Sequence, residues 1–176
     1  MMVLPDVLAP ALDVVLCGTA VGECSALRGH YYAGPGNAFW RLLHESALVP
    51  VPLRPEDDDS LPSYGIGLTD LVKNLAQSHD RGLPFDVSTF VGKVEALQPR
   101  WVAFTSKRAG QATARALGHP PPGLGAAPWR IGQTAVFVLP SPSGANQRRD
   151  YDGRPTRLDW WAELAARLRA GTPAPC

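Results

Sequence analysis

The chain has 176 residues, 45% of them hydrophobic, and a formal net charge of +1, which fits one globular domain, read here as 1–170 followed by a short tail over 171–176. No apolar run reaches the roughly 18 residues of a membrane span, and "MMVLPDVLAPALDVVL" lacks the basic start and small-residue cleavage site of a signal peptide. Cys17, Cys24 and Cys176 form no CxxC and no ligand quartet, so neither zinc nor an iron–sulfur cluster is expected, and a reducing, cytoplasmic setting is the default.

In chain order, "LDVVLCG" (12–18) is a short apolar run with β-branched residues ending in Gly, the pattern of a buried strand. "YYAGPGNAFW" then sets four aromatic rings around a Gly-Pro-Gly bend. A helix is predicted over 37–48, with Asn37 as N-cap and Phe39, Trp40, Leu42, Leu43 and Leu48 at helical spacing. "VPVPLRPEDDDSLPSY" reads as a surface loop, and "YGIGLTDLV" as an extended segment leading into a helical turn. "DVSTFVGKVEALQP" is a helix capped by Asp86 or Ser88 and stopped by Pro99. "RWVAFTS" (100–106) is a second buried strand and "KRAGQATARAL" the helix after it. "HPPPGLGAAP" is a loop, "WRIGQTAVFVLP" a turn followed by a strand over 135–139, and "SPSGANQRRDYDGRPT" a long loop. "RLDWWAELAARLRA" is an amphipathic terminal helix before the frayed tail. Strands alternating with helices predict an α/β fold, three-layer α/β/α with a central, mostly parallel sheet, whose sites lie in loops at the carboxyl ends of strands.

Two such loops stand out. "GTAVGECS" follows the first strand but matches neither GxGxxG nor GxxxxGK[ST], so it is either a tight turn or a weak phosphate loop. "PSPSG" stiffens with two prolines a loop that displays Ser141, Ser143 and the backbone N–H groups around Gly144. The net charge does not announce nucleic-acid binding. Lysines are few (Lys73, Lys93 and Lys107), and the arginines gather in "NQRRDYDGRPTR", either a local phosphate-binding patch or an ordinary solvated surface.

Together and in this order, the motifs resemble the uracil-DNA glycosylase superfamily, and most closely its mismatch-specific uracil and thymine branch. "GTAVG" is similar to that branch's GINPG motif and "YYAGPGNAFW" to its (Y/F)-x-x-P-x-N-x-F-W segment. "KVEALQPRWVAFTSK" is similar to its K…QP-R-(I/V)-A strand, and "SPSGANQ" to its NPSG or MPSS motif with the DNA-inserting loop. The resemblance runs from about residue 12 to 165. It implies hydrolysis of an N-glycosidic bond in DNA, with the target nucleotide rotated out of the stack and no cofactor or metal. It places Gly18, Thr19, Ala20, Gly22, Tyr32 and Ser141 around the base, with Tyr32 stacking on it. It places Ser25, Lys107, Ser143, Gly144, Ala145, Asn146, Gln147 and Arg148 against DNA, and it implies a monomer.

The match departs at two points. The first-motif Asn that positions the hydrolytic water is here Ala20, whose methyl group orients nothing. Asn37 is one replacement; hypoxanthine-DNA glycosylases share the "YYA-P-N-FW" pattern and resemble this chain there. Capping the helix is its other role, and the two are compatible. Asp70 is the second candidate, either as a carboxylate beside the developing sugar cation or as an N-cap. Glu23 is expected to face solvent or DNA, and His30 to lie on the surface or to steady the departing base. The inserting loop offers Ala145 where the branch has a wedging Leu, leaving Gln147 or Arg148 as the plug. Single-stranded or mismatched substrate is therefore favoured. No lysine lies in the pocket motifs, so no Schiff-base lyase step is expected. The predicted activity is excision of uracil, with hypoxanthine, or binding without hydrolysis, as alternatives.

Overall fold

The computed structural model describes residues 1–171, so the expected tail, Gly171 apart, lies outside the described residues. Five strands form one sheet in the order β2–β1–β3–β5–β4. β1 (Val14–Ala20), β2 (Ile66–Val72), β3 (Trp101–Phe104) and β5 (Thr134–Val138) are parallel, and β4 (Gly125–Ile131) pairs antiparallel with β5. β1 and β2 read as near-continuous apolar runs because helices cover both faces of the sheet. α2 (Phe39–Glu45) and α5 (Arg157–Ala170) cover one face, where Phe39, Leu42, Leu43, Trp161 and Leu164 bury against Leu16, Leu68 and Ala103. α3 (Val87–Leu97) and α4 (Lys107–Ala116) cover the other, through Phe90, Val94, Ala109 and Ala114 against Val15, Cys17 and Phe104. At roughly 1.5–3 kcal/mol for each large apolar side chain buried, these two clusters are the main favourable term holding the layers together. The three-layer, mostly parallel α/β/α architecture is the one expected from the alternating pattern.

Local signals explain most boundaries. Asp86 caps α3 by accepting the Thr89 N–H at 3.0 Å, and Ser106 caps α4 through the Ala109 N–H at 3.2 Å. Thr156 and Asp159 form a reciprocal capping box at α5. Four expectations need correction. The loop "HPPPGLGAAP" runs into β4, an edge strand whose Pro128 and shifted register between Ala126 and Arg130 hide it from period-two reading. The Pro-rich segment holds a 3₁₀ helix, Pro55–Tyr64, which buries Asp58 and Leu61. "GECS" opens a short helix, α1 (Glu23–Arg28). Asp70 lies within β2 rather than ahead of a helical turn, so it caps nothing. Among the described residues no helix is long and apolar enough to cross a membrane.

The strand order places β1 between β2 and β3, and the chain leaves their carboxyl ends in opposite directions. A crevice opens there by topology alone.

Candidate active site at the carboxyl ends of β1, β2 and β3

Side chains alternate faces along a strand, so one pleat layer is shared by partners in register. Gly18 on β1 pairs with Asp70 on β2, and Cys17 with Phe104 on β3, which sets Thr105 beside Gly18 on its other flank. Asp70, Gly18 and Thr105 therefore form a row on the α2 face of the sheet. A Cβ at Gly18 would lie 2.6 Å from Asp70 Oδ1 and 3.3 Å from both Thr105 Oγ1 and the Tyr32 hydroxyl. The glycine is what lets these three polar groups meet.

The row forms part of the wall of a cleft of about 460 Å³, also bordered by Thr19, Ala20, Gly22, Ser25, Asn37, Ser141, Ser143 and Gly144. Asp70 is buried, and its Oδ2 has no hydrogen-bond partner. Burial pushes its pKa up from 3.8 to about 6, opposed chiefly by Lys73. Cys17, fully buried beneath the sheet, has its thiol pushed up by the same desolvation and is inert.

Tyr32 is held where few non-glycine residues go, at φ 52°. Its neighbours pin it there. The Tyr31 N–H donates to buried Asp58 at 3.1 Å, the Ala33 N–H to Ser25 Oγ at 2.9 Å, and the Trp40 indole N–H to the Tyr31 carbonyl at 3.1 Å. The Tyr32 ring stacks on Phe39, 3.8 Å between centroids and 10° between planes, and Phe39 meets Trp161 edge-on. The Tyr32 hydroxyl hydrogen-bonds Thr105 Oγ1 at 3.1 Å. Desolvation keeps the phenol protonated, well above its ordinary range. One ring face is thus backed by the core, while the side chain still borders the cleft.

Asn37 is not the N-cap expected of it: it stands one residue ahead of the cap, and the helix runs over Phe39–Glu45 rather than 37–48. Ala38 occupies the cap position of α2, and Asn37 Oδ1 accepts the Phe39 N–H at 2.9 Å. That donor fixes which amide atom is oxygen, and Nδ2 remains uncommitted beside the cleft.

The second-motif loop is braced from several sides. Pro142 O accepts the Ala38 N–H at 2.8 Å, and Arg157 donates to the Ser141 and Ser143 carbonyls at 3.1 and 2.9 Å. Asn146 Nδ2 turns back to Ser141 O, and Gln147 Nε2 to Gly144 O. Gln147 and Arg148, the two expected plugs, are both exposed; Gln147 makes its bond within the loop, and Arg148 bonds through its backbone N–H. Lys107, Ala145, Asn146, Gln147 and Arg148 border a second hollow, of about 490 Å³, which shares Ser141 and Ser143 with the cleft. Lys107 there pairs with Asp152.

Other expected residues also make contacts within the fold. Ser25 is buried and its hydroxyl clasps Ala33; Glu23 is exposed and accepts from Ser78. His30 is half-buried and pairs with Asp58 at 3.2 Å, and it does not border the cleft. Sequence reasoning missed Thr105, which a period-two count from Trp101 reaches. It also missed Gln77, Ser78, His79 and Asp80, which border the cleft from the loop after β2, with Asp80 accepting from Thr19 at 2.6 Å. No motif marks that loop; its place at the carboxyl end of a strand is the available signal. Among the described residues no group of three or more His, Cys, Asp or Glu side chains is placed to hold a metal ion.

A mostly parallel sheet with its crevice at a strand-order reversal, closed by a Tyr-Gly-Pro loop and a Pro-Ser loop, defines an α/β/α protein with a small-molecule-sized cleft. Residues 5–165 match the uracil DNA glycosylase superfamily, and the chain belongs to that family. Its backbone is also similar to the solution NMR structure of a candidate uracil DNA glycosylase from Methanosarcina acetivorans. The TM-score is 0.61 with 24% sequence identity, covering 94% of this chain and 96% of that one. At that identity the likeness concerns the fold.

Proposed function

We propose that the protein is a monofunctional DNA glycosylase that removes a deaminated base, uracil first and hypoxanthine second. Membership of the superfamily supports glycosylase activity on DNA. The motif pattern favours the mismatch-specific branch with hypoxanthine-type features in "YYAGPGNAFW". The observation that carries the reading is Asp70, a carboxyl group buried in the cleft wall with one oxygen unpartnered. Such a group costs the fold free energy and is characteristic of a working site.

In this mechanism the target nucleotide rotates out of the stack and its base lies against Tyr32. The C1′–N bond breaks with its electron pair leaving on the base, and positive charge builds on the sugar. The Asp70 carboxylate stabilises that charge and accepts a proton from the water that attacks C1′. Asn37 Nδ2 donates to the same water and aims its remaining lone pair. Ala20 leaves room where the branch has an Asn side chain, which suits a purine as the second substrate. Oligonucleotides holding one uracil or one hypoxanthine, treated with protein and then alkali, test the proposal. Strand cleavage at the modified base is expected, and no abasic product from either would overturn it.

Two outcomes follow from the walls of the cleft. Tyr32→Ala is expected to slow single-turnover base release about 5- to 150-fold, the equivalent of 1–3 kcal/mol of stacking. Tyr32→Phe, which keeps the ring and loses only the Thr105 bond, should stay within roughly fivefold of wild type. Equal losses in both would assign Tyr32 to the core alone. With Ala145 small and Gln147 bonded back to Gly144 O, the loop offers no apolar wedge for the vacated stack, and Arg148 is the plug we favour. Uracil in a single strand or a mismatch should therefore be released faster than from a U·A pair, and equal rates on the two would refute this.

A further inference from the structure

We propose that Asp6, Lys73 and Lys93 form a positioning network that sets the charge of Asp70, so that the cleft presents a carboxylate at neutral pH. This rests on Asp70 as the water-orienting group. The N-terminal segment lies along β2 through the Val7–Leu68 bridge, which brings Asp6 to the end of that strand. Asp6 accepts from Thr69 Oγ1 at 2.7 Å, Lys73 Nζ at 2.9 Å and Lys93 Nζ at 2.6 Å. Burial works against its charge, and the bonds from Lys93, Lys73 and Thr69 outweigh burial and hold it ionised. Lys73 also donates to the Tyr31 hydroxyl at 2.7 Å, which in turn donates to Pro5 O at 2.9 Å. The ammonium is thereby fixed in place.

Two lysines against one aspartate leave one positive charge over. Asp70, Lys73 and Lys93 border a common hollow of about 350 Å³ behind the cleft, and Asp70 also borders the cleft itself, so it forms the partition between them. An ionised Asp70 makes the group of four electrically neutral, and a neutral Asp70 leaves it charged in a largely buried place. The other titratable groups near Asp70 are Cys17 on β1, Tyr31 and Tyr32, Asp86 at the rim of the hollow, and His79 and Asp80 on the cleft side. Cys17, Tyr31 and Tyr32 are all driven toward their neutral forms by burial. The lysines are therefore the cations that oppose desolvation at Asp70, Lys73 most strongly, while Asp6 pushes the other way.

The opposite signs supply the test. The Asp70 side-chain carboxyl, identified by its absence in Asp70→Asn, is titrated by carbon-13 NMR in wild type, Lys73→Met, Lys73→Arg and Asp6→Asn. Loss of the cation should move the midpoint up by about one pH unit, Lys73→Arg should hold it near wild type, and Asp6→Asn should move it down. An unmoved midpoint in Lys73→Met, or movement in the same direction in Lys73→Met and Asp6→Asn, overturns the proposal. Should Lys73→Met fail to fold, the sign of the Asp6→Asn shift decides alone. The acid limb of base release is expected to follow the same midpoints. Midpoints that move as stated in a protein that releases no base would uphold the network and refute the glycosylase reading.

Discussion

Asp70→Asn is expected to slow base release by roughly 10²- to 10⁴-fold and, at the same time, to stabilise the fold at neutral pH. The two effects share one cause. Asp70 is buried with an unpartnered oxygen, and burial lifts it from 3.8 to about 6. The native state therefore holds this proton more tightly than the unfolded chain does. The stability contributed by the neutral carboxyl is complete below the ordinary value of 3.8 and is lost as pH rises through about 6. Asparagine has no such proton to lose. Its advantage over wild type should be absent in acid and reach on the order of 3 kcal/mol above neutrality. Thermal or urea unfolding of both proteins across this range, beside single-turnover base release, measures both effects. A variant that loses stability along with activity would make Asp70 a structural residue.

Gly144→Ala is expected to lower base release about 10- to 100-fold, through the geometry of the cleft rather than through chemistry. A Cβ there would lie 2.9 Å from Gly36 O and 3.1 Å from Gly36 C, both backbone atoms that cannot swing aside. Gly144 is not among the positive-φ residues, so alanine tolerates its backbone and only the close approach is tested. The two loops that face each other across this contact carry Asn37 and Tyr32 on one side, Ser141 and Ser143 on the other. Separating them breaks the Ala38–Pro142 hydrogen bond and widens the cleft between them. Gly92→Ala, in the exposed middle of α3 with nothing within 4 Å, is the control and should leave the rate unchanged. Wild-type activity in Gly144→Ala would remove the bracing between the loops from the account.

The layer architecture was legible because β1 and β3 are apolar on both faces and the helices carry local caps such as Asp86, Ser106 and Thr156. β4 was not, because an edge strand interrupted by Pro128 has neither an apolar run nor strict alternation. Motif order located both loops of the cleft, and with them Gly18, Tyr32, Asn37 and Ser141. Asp70 was located, but with a cap as its alternative. The clue against the cap is the stretch "IGLTDLV", where one carboxylate stands in a strand buried at every position. Thr105 is reached only by carrying the pleat across three strands. The Asp6–Lys73–Lys93 cluster leaves no trace in any local window, since its members lie 67 and 87 residues from Asp6 along the chain and meet only through the sheet edge and α3. Gln147 shows the reverse limit. Its side chain type suited a plug, and only the loop's own hydrogen bonds reveal that it is already engaged.

The proposed activity is hydrolytic release of a deaminated base without strand incision. Mass spectrometry of the products of a uracil-containing single strand, read for the free base and for the strand left behind, tests it most directly. Free uracil in step with an intact strand carrying one abasic site is the result expected, with the rate lost in Asp70→Asn. No free base from wild-type protein, or a strand cut without alkali, would contradict it.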